Sequence, residues 1–591
     1  MTAPDATVAA VLDRTAAAHP DLPALVHKTD GEWQARTWSD YRDEARRVAR
    51  GFLSLGLEPG KGVAILGFNR PQWFLADIGA ILAGAVPTGI YTSSSPEQAR
   101  YIVEHAEAEI LVIESARYLE LAGQIRYHSP DLKAVVLMEG RDPGALSWQK
   151  LLAKAEETPE HVLEARIEAQ RPDDPCTLIY TSGTTGPPKA VMLSHRNLTW
   201  TADTVVDLFD FDPDDCVISY LPLSHIAEQV VSLHAPMAIG ATTWFAESLE
   251  AMGENLREVR PHVFFGVPRV YEKMQSLLEE ALADASLLRR ALLGWARRIG
   301  LAAGYAAQRG DELPRSYPLF ERLVFHPLRR RLGLDRARIC AVGAARTTLE
   351  THEFFLSLGI PLLEVYGQSE DTGPATVSTP DSFRTGWCGT ALPGTEVEIA
   401  DDGEILVRGP HVFLGYLKDE EATRQAIDEE GWLHTGDIGE LDEDGFLRVT
   451  DRKKEIFVTS GGKNISPQNI ESLLKSIPAV GQVAAIGDGR KYITALLTLH
   501  PQRWRRIAKS LGSSAETLEE AAICDIIRTH VEHQVERVNE RLSRVEAIKR
   551  FRILPREFSV EAGELTPTMK LKRRVIEENF AAEIERLYAD A

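Results

Sequence analysis

The chain lacks several features that would place it in common classes of protein. It has no Cys-x-x-Cys pair and its five cysteines lie far apart, so we predict neither a zinc site nor a disulfide framework. No apolar run approaches the ~20 residues that a membrane span needs. The formal net charge of −21 argues against a general nucleic-acid-binding protein, which would need a basic surface.

The first residues also lack a basic stretch followed by an apolar one. We therefore predict no secretory signal and expect a protein of the reducing cytoplasm, which unpaired cysteines suit. With 591 residues, the chain is long enough for more than one domain, and 44% hydrophobic and 26% charged residues are ordinary for a globular protein.

One loop has the composition of a phosphate-binding loop. The apolar run Cys176–Tyr180 predicts a strand, and it leads into Thr181-Ser182-Gly183-Thr184-Thr185-Gly186-Pro187-Pro188-Lys189. Glycines let the backbone approach a polyanion, hydroxyl and N–H groups donate hydrogen bonds, and Lys189 adds a positive charge. The loop is not that of a P-loop ATPase, because Gly183 and Gly186 are only three apart and Ala190 follows the lysine. Taken alone, the loop is also compatible with a flexible surface connection.

Short apolar runs alternate with longer helical patterns through the first two thirds of the chain. Examples of these strand candidates are Val63–Gly67, Glu109–Ile113, Ala134–Leu137 and His262–Phe265. Such alternation predicts βαβ units and parallel sheets covered by helices. Farther along, Asp401–Gly403 and Asp442–Gly445 are turn signals between short strands, which indicates a small antiparallel subdomain.

The pattern restarts after Asp451, where Ser466-Pro467 is a favourable helix start. We therefore predict a large N-terminal domain of residues 1–451 and a smaller α+β C-terminal domain of residues 452–591. The charged run Asp451–Lys454 would be the joint between them, although by itself this run is also typical of a solvated turn.

Two helical segments look like insertions. The first, about residues 273–336, contains clustered arginines and interleaved leucines. A basic amphipathic helix near 287–336 could lie on an anionic membrane, but a surface helix that packs its apolar face on its own core is the simpler alternative. We interpret the second, about residues 501–544, as a solvated structural insertion.

Further motifs follow the phosphate loop in order along the chain. They are Leu221–Gln229, Val342–Ala345, Glu364–Glu370, Thr435–Asp437, Ser460–Pro467 and Gly563–Arg573. Together with the loop, they resemble the AMP-forming adenylating enzymes, the superfamily of acyl-CoA synthetases, adenylation domains and luciferases. The resemblance covers nearly the whole chain. It implies an α/β fold with a large N-terminal domain of parallel-rich subdomains, a small antiparallel β subdomain and a mobile α+β C-terminal domain.

The resemblance also implies which residues bind ATP and CoA. The motifs place adenine against backbone near Gly343 and against the flat face of Tyr366, and ribose at Asp437. CoA would lie at the glycine-rich loop, where Lys463 could contact a CoA phosphate or, as an alternative, be solvated. The implied cofactor-binding residues are Thr181, Ser182, Gly183, Thr185, Gly186, Gly343, Ala344, Ala345, Tyr366, Gly367, Gln368, Ser369, Asp437, Arg452, Gly461, Gly462 and Lys463. Val342 and Ala345 depart from the usual Gly-Gly-Ala-Pro of this motif, and Ser369 replaces the usual Thr.

The implied catalytic residues are Lys570, Glu370, Thr184, Lys189 and His225. Glu370 and the Thr184 hydroxyl would hold Mg²⁺, which typically takes few protein carboxylates together with substrate phosphates. His225 would lie between the nucleotide and the acyl-chain pocket with a positioning or gating role. The motif aligns the mobile lysine with Lys570, but Lys572, Arg573 and Arg574 are close competitors.

The implied reaction is ATP-dependent activation of a carboxylic acid to an acyl adenylate, followed by transfer to the thiol of CoA. The motifs are most similar to long- and very-long-chain fatty acyl-CoA synthetases of the bubblegum type, so a fatty acid is the expected substrate. Two alternatives stay open: an enzyme that stops at the adenylate or loads a carrier protein, and a non-catalytic acyl-binding scaffold. The oligomeric state is not predicted.

Overall fold

A computed structural model of the chain describes residues 6–181, 187–283, 286–459, 464–566 and 570–589. Within these residues, two large sheets dominate, and the central strands of both are parallel. In the order of the first sheet, its strands are β16 (Thr390–Ala391), β15 (Thr376–Val377), β14 (Leu363–Tyr366), β13 (Ile339–Val342), β12 (Val263–Gly266), β10 (Cys216–Ser219), β11 (Thr242–Phe245), β1 (Pro23–Thr29) and β2 (Glu32–Thr37).

The second sheet also has a parallel centre, but its antiparallel strands lie at one edge, whereas the first sheet has antiparallel strands at both edges. In order, its strands are β19 (Gly415–Tyr416), β9 (Lys189–Ser194), β8 (Pro175–Thr181), β4 (Val86–Ile90), β3 (Gly62–Leu66), β5 (Ala108–Ile113), β6 (Ala134–Leu137) and β7 (Leu146–Ser147). The four strands predicted from apolar runs are confirmed to within a residue or so at each end. Their centres are buried because helices cover both faces.

The predicted antiparallel subdomain is also confirmed. Its strands are β17 (Glu396–Ile399), β18 (Glu404–Arg408), β20 (Leu433–Leu441) and β21 (Leu447–Arg452). The turn around Gly403 joins the first pair and the turn around Gly445 joins the last pair, and both glycines have positive φ. Glycine adopts that conformation without steric cost.

From Phe457 onward, the chain builds a separate α+β domain with its own apolar core. Its strands are β22 (Phe457–Val458), β23 (Asn464–Ile465), β24 (Val480–Ile486), β25 (Ile493–Leu499) and β26 (Ile548–Leu554). Helix α18 (Pro467–Lys475) begins as predicted, with the Ser466 hydroxyl accepting a hydrogen bond from the Asn469 N–H at 3.2 Å. The cap satisfies one of the free donors at the helix start.

Helices cover these sheets and connect their strands. The other α-helices are α1 (Val8–Ala18), α2 (Trp38–Ser54), α3 (Pro71–Leu82), α4 (Pro96–His105), α5 (Leu119–His128), α6 (Trp148–Lys154), α7 (Glu160–Ala169), α8 (His195–Leu208), α9 (Ile226–Gln229), α10 (Ala235–Ile239), α11 (Met252–Val259), α12 (Pro268–Ala283), α13 (Leu287–Arg309), α14 (Tyr317–Phe320), α15 (His326–Leu332), α16 (Leu349–Leu356), α17 (Glu420–Ala426), α19 (Trp504–Ser510), α20 (Leu518–Ile523), α21 (Asp525–Asn539), α22 (Arg573–Asn579) and α23 (Ala581–Tyr588). Among the described residues, no helix is both long and apolar enough to cross a bilayer.

The first predicted insertion is helical and is divided along its length. The C-terminal part of α13 packs on the protein through the small residues Ala296, Gly300, Ala303 and Ala306. The N-terminal part instead exposes Leu287, Leu288, Leu292 and Trp295 to solvent. Packing on the protein's own core, the simpler of the two alternatives, is therefore observed for the C-terminal part of the helix.

The prediction that residues 501–544 form a solvated insertion is wrong for its apolar face. Helix α21 buries Ile527, Val531, Val535 and Val538, which belong to the core of the C-terminal domain. The charged residues cover the opposite face of the helix. Spacing of three and four residues between these apolar positions is the signal of an amphipathic helix, which the high charge content of the segment concealed.

We expect Gly300→Ala to destabilise the large domain. A Cβ atom at Gly300 would lie 2.2 Å from the backbone oxygen of Ser357, which cannot move away as a flexible side chain could. Overpacking of this kind costs about 1–3 kcal/mol, so the melting temperature should fall. On the same helix, Gly294 has nothing within 4 Å of such a Cβ, so Gly294→Ala is the matched control. Equal melting temperatures for both variants would contradict the packing of α13.

Candidate active site

The predicted phosphate loop connects two antiparallel strands. Thr181 is the last residue of β8 and Lys189 is the first of β9, and the two residues are paired in register. The residues Ser182, Gly183, Thr184, Thr185 and Gly186 lie outside the described part of the chain, as do Gly461, Gly462 and Lys463 of the second glycine-rich loop. A return strand after the loop, rather than a helix, agrees with the absence of the P-loop signature.

A tyrosine that the sequence analysis did not single out links two predicted site residues. The Tyr416 hydroxyl donates a hydrogen bond of 2.8 Å to Oε1 of Glu370. The Nζ of Lys189 lies 4.6 Å from the centre of the same ring, a cation–π arrangement. Tyr416 occupies the short strand β19, which pairs with β9, so the sheet brings it to the loop. One side chain thereby holds the cation at the end of the loop and the carboxylate of the Glu364–Glu370 motif.

The predicted ribose-binding residues form a second hydrogen-bonded group. Asp437 and Arg452 face each other in the β20–β21 ladder, and Arg452 Nε lies 3.2 Å from Oδ1 of Asp437. The Tyr366 hydroxyl donates a hydrogen bond of 3.0 Å to the other carboxylate oxygen. The pair of donors orients a buried carboxylate that would otherwise be costly to desolvate.

Lys570 of the C-terminal domain lies among these residues. Its backbone is fixed by a reciprocal pair of bonds with Thr566, at 2.8 and 3.0 Å. Burial and the charge of Arg452 lower the pKa of Lys570 to about 8, while Asp437 and Glu370 act in the opposite direction. The structure therefore brings Lys570, Arg452, Asp437 and Glu370 into one electrostatic environment.

The three basic competitors of Lys570 do not share this position. Arg573 donates to Glu471 and to the backbone oxygen of Ala485, at 2.8 and 2.6 Å, inside the C-terminal domain. Arg574 is exposed and pairs with Glu578 one helical turn away. Lys572 is partly buried, and its backbone N–H donates to the Glu564 oxygen.

His225 caps the start of α9 and faces Lys570. Burial, and next the positive charge of Lys570, lower the pKa of His225 to about 4, so the imidazole is neutral at pH 7. Its Nδ1 accepts a hydrogen bond of 3.2 Å from the Ala227 N–H, which fixes the ring. We call the group of Lys570, Arg452, Asp437 and Glu370 the charged corner. A neutral, oriented imidazole suits a positioning role and adds no charge to this corner.

A largely apolar pocket opens beside His225. Its cavity volume is about 80 Å³. Its walls come from α8, the α9 region and strands β12, β13 and β14, and they include Val205, Phe209, Phe211, His225, Ile226, Ala227, Val230, Val231, Ala235, Val263, Phe265, Ile339, Ala341, Gly343, Ala344, Val365, Gly367, Gln368, Gly373, Pro374 and Val377. Apolar walls of this kind suit a hydrocarbon group.

Some of the predicted adenine-side residues line this pocket, namely Gly343, Ala344, Gly367 and Gln368. Gly343 and Ala344 follow β13, and Ala344 has a φ of 66°, which is uncommon for a residue other than glycine. At Gly367, a Cβ atom would lie 1.6 Å from the Gly373 oxygen, so only glycine fits. Ala345 is exposed, whereas Ser369 is buried next to Glu370.

The buried side chain of Glu228 connects the end of strand β10 to the helical segment that follows His225. Glu228 accepts hydrogen bonds from the Ser219 and Ser232 hydroxyls, at 2.7 and 2.8 Å, and from the Tyr220 N–H at 3.1 Å. Asn69 also donates to it, at 3.2 Å. Burial raises the pKa of Glu228 to about 8 despite these donors. The sequence motif contained this residue, but nothing in a single sequence indicated that its partners would converge.

An apolar pocket at His225, next to the charged side chains of Lys570, Arg452 and Asp437, is suited to an acid and a nucleotide. Residues 12–417 match the AMP-binding enzyme family, and residues 454–591 match the C-terminal domain of AMP-binding enzymes. The chain therefore belongs to the AMP-binding enzyme family.

Curated relatives match over almost the whole chain. The chain is 39% identical, over 623 residues, to the long-chain-fatty-acid–CoA ligase ACSBG2 of Xenopus laevis, covering 100% of this chain and 84% of that protein. It is also 39% identical, over 604 residues, to the long-chain-fatty-acid–CoA ligase ACSBG1 of Homo sapiens, covering 96% of this chain and 83% of the relative.

Solved structures with low sequence identity share the fold. The A domain of carboxylic acid reductase from Segniliparus rugosus, in complex with AMP and a co-purified carboxylic acid, matches with a TM-score of 0.75 at 19% identity, covering 99% of this chain and 94% of that one. The anthranilate CoA ligase AuaEII, in complex with anthranoyl-AMP, has a TM-score of 0.73 at 19% identity, covering 98% of this chain and 99% of that one. The expected α/β fold with a separate C-terminal domain is thereby confirmed.

We expect Tyr416→Phe to weaken binding of ATP in the presence of Mg²⁺. The change removes the hydroxyl that orients Glu370 but keeps the ring beneath Lys189. A hydrogen bond to a charged group contributes about 1.5–3 kcal/mol, so the affinity measured by titration calorimetry should fall roughly tenfold or more. Tyr492→Phe is the matched control, because its hydroxyl donates to Leu587 inside the C-terminal domain. The same affinity for ATP in both variants would contradict a role of the hydrogen bond from Tyr416 to Glu370 in nucleotide binding.

Proposed function

We propose that this protein ligates a long-chain fatty acid to coenzyme A through an acyl adenylate, with release of AMP and pyrophosphate. The observation that carries the proposal is the apolar pocket, whose mouth at His225 and Gly343 adjoins the corner occupied by Lys570, Arg452 and Asp437. The names of the curated relatives support the same activity.

The pocket and the charged corner suggest how the first step proceeds. The hydrocarbon chain would lie between the apolar walls, with its carboxylate at the mouth beside the neutral His225. A carboxylate oxygen attacks the α-phosphorus of ATP, and the bond to the bridging oxygen breaks as pyrophosphate leaves. Because two anions must meet, positioning and charge neutralisation carry most of the catalysis, and Lys570 would bridge the carboxylate and the α-phosphate.

The nucleotide would be held by residues already placed at the corner. Asp437 would accept hydrogen bonds from the ribose hydroxyls, with Arg452 beside it, and the phosphates would lie along the loop that ends at Lys189. Glu370 is the carboxylate best suited to Mg²⁺, together with Thr184 and phosphate oxygens. When bound, the metal would supply neutralisation of the phosphate charge.

We further propose that the chain divides at residues 451 and 452 and that the C-terminal domain rotates between two steps. In the second step, the thiol of CoA attacks the acyl carbonyl, its proton is released, and AMP leaves. Lys570 must then withdraw to admit the thiol, and the loop with Gly461, Gly462 and Lys463 would approach CoA. A joint at Asp451 and Arg452 fits hinge motions of this type.

Product analysis with two acceptors tests the function directly. Purified protein would receive palmitate, ATP and Mg²⁺ with either CoA or an acyl carrier protein, and mass spectrometry would identify the acylated product. We expect acyl-CoA. An acylated carrier protein, or free acyl adenylate alone, would instead support the alternative of a carrier-loading or adenylate-forming enzyme. No product with either acceptor would support the scaffold.

Lys570→Ala should separate the two steps. Loss of a preorganised charge at the transition state typically costs 10²–10³ in rate, so adenylate formation from palmitate should fall about 100-fold or more. Thioester formation from supplied acyl adenylate should be largely spared. Arg574→Ala is the control, because this arginine is exposed and pairs with Glu578 on the surface. Equal losses of both half-reactions would overturn the assignment of Lys570.

We also propose that helix α13 makes peripheral contact with anionic membranes. Leu287 and Leu288 are 76% and 84% exposed, and Arg289 and Arg290 follow them directly. The helix contains no acidic residue although the protein carries a net charge of −21. Leu301 on the same helix packs against the apolar cluster that includes Phe265 of the pocket wall. An apolar face with flanking arginines is typical of surface-bound helices.

Vesicle binding checks this contact. We expect the protein to sediment with phosphatidylglycerol vesicles, less so at high salt, and the double variant Leu287→Ser/Leu288→Ser to bind at least tenfold more weakly, since burial of a leucine contributes about 1.5–3 kcal/mol. Ile523→Ser is the control, because this side chain is also 73% exposed but lies in the C-terminal domain. Equal binding by both variants would contradict the proposed contact.

A further inference from the structure

The two insertions contact each other across the two domains. Nη2 of Arg503, just before α19, lies 2.9 Å from Oε2 of Glu279 on α12. These residues are 224 positions apart, and they belong to segments that neither the fold motifs nor the proposed chemistry explain. The contact is therefore a candidate for a role in the arrangement of the domains.

The pair is more than a surface ion pair. The side chain of Arg503 is 15% exposed and that of Glu279 is 26% exposed, so both charges are largely removed from water. Exposed pairs contribute little, but removing one partner of a desolvated pair leaves the other charge uncompensated. Loss of either residue should therefore have a measurable effect.

The large domain holds the carboxylate in place for this contact. Gln275 Nε2 donates to Oε1 of Glu279 at 3.0 Å, and the Thr351 hydroxyl donates to the Gln275 oxygen at 3.1 Å. Helices α12 and α16 thereby present an oriented acceptor to the arginine. The charge of Arg503 also acts on Glu350 of α16, whose pKa is raised chiefly by burial.

We propose that Arg503 and Glu279 form a latch that holds the C-terminal domain in the orientation that places Lys570 at the active site. The proposal rests on the proposed function, since it assumes that this domain rotates between the two half-reactions. One partner lies on each domain, so a rotation that withdraws Lys570 must also separate the pair. The latch would favour adenylate formation and would have to open before CoA is acylated.

The latch predicts that only the first of the two steps becomes slower, whereas a loss of folding would slow both. A variant without the ion pair should spend less time in the first orientation. We expect Arg503→Gln and Glu279→Gln to slow adenylate formation two- to tenfold, measured as pyrophosphate release in a single turnover. Acylation of CoA from supplied acyl adenylate should be unchanged or faster, because the domain leaves the first orientation more readily.

Two further variants make the comparison specific. The charge exchange Arg503→Glu/Glu279→Arg should recover at least half of the loss in adenylate formation, since it restores an ion pair. Arg506→Gln, three residues farther along in α19 and exposed, should behave as the unmodified protein. Parallel losses in both half-reactions, or no recovery by the exchange, would show a merely structural role and would overturn the latch.

Limited digestion of the full chain with trypsin gives a readout that does not need activity. The joint contains Arg452, Lys453 and Lys454, which are natural cleavage sites, and a domain freed from the latch should expose them more often. We expect cleavage at the joint to be two- to fivefold faster in Arg503→Gln and Glu279→Gln, and unchanged in Arg506→Gln. Equal cleavage in all variants would overturn the latch. If the unmodified chain showed neither half-reaction, the proposed function would be wrong. The cleavage rates would still show whether the pair of Arg503 and Glu279 holds the two domains together.

Discussion

Two cations, Lys570 and Arg452, are held close together at the edge between the two domains, and the rest of the site depends on how their repulsion is balanced. Arg452 and burial both lower the pKa of Lys570, while the carboxylates of Asp437 and Glu370 oppose this effect. Asp437 is itself oriented by Tyr366, and Glu370 by Tyr416. Two carboxylates thus offset the two cations at the place where, in the proposed function, a nucleotide and an acid would meet.

The scaffold separates this charged corner from an apolar interior within a few residues. Strands β12, β13 and β14 contribute apolar side chains to the pocket, and the loops that follow them carry Gly343 and Gln368 to its mouth. Sites at the carboxyl ends of parallel strands are common because loops there converge without disturbing the core. The neutral His225 lies at the transition between the two environments, which is consistent with a group that orients a carboxylate without pairing with it.

Sequence analysis predicted the features that depend on local order. Alternating apolar runs located the parallel strands, Gly403 and Gly445 located the turns, and the motif of Lys570 selected the basic residue that lies at the corner. Tyr416 was missed because its importance comes from the pairing of β19 with β9, two segments more than two hundred residues apart. An acyl-chain pocket next to His225 was expected from the resemblance, but its wall residues were not predicted, and neither was the contact between Arg503 and Glu279, since both require the tertiary arrangement. The apolar face of α21 had a local signal, a helical spacing of valines, that the many charges obscured.

The most direct test of the account is pyrophosphate release by the purified protein with ATP and Mg²⁺ across saturated fatty acids of increasing length, each with and without CoA. The account predicts turnover that peaks on long chains and depends on CoA, because the apolar pocket selects the acid and transfer to the thiol completes the cycle. Turnover that is strongest on short or aromatic acids, or no release on any acid, would contradict it.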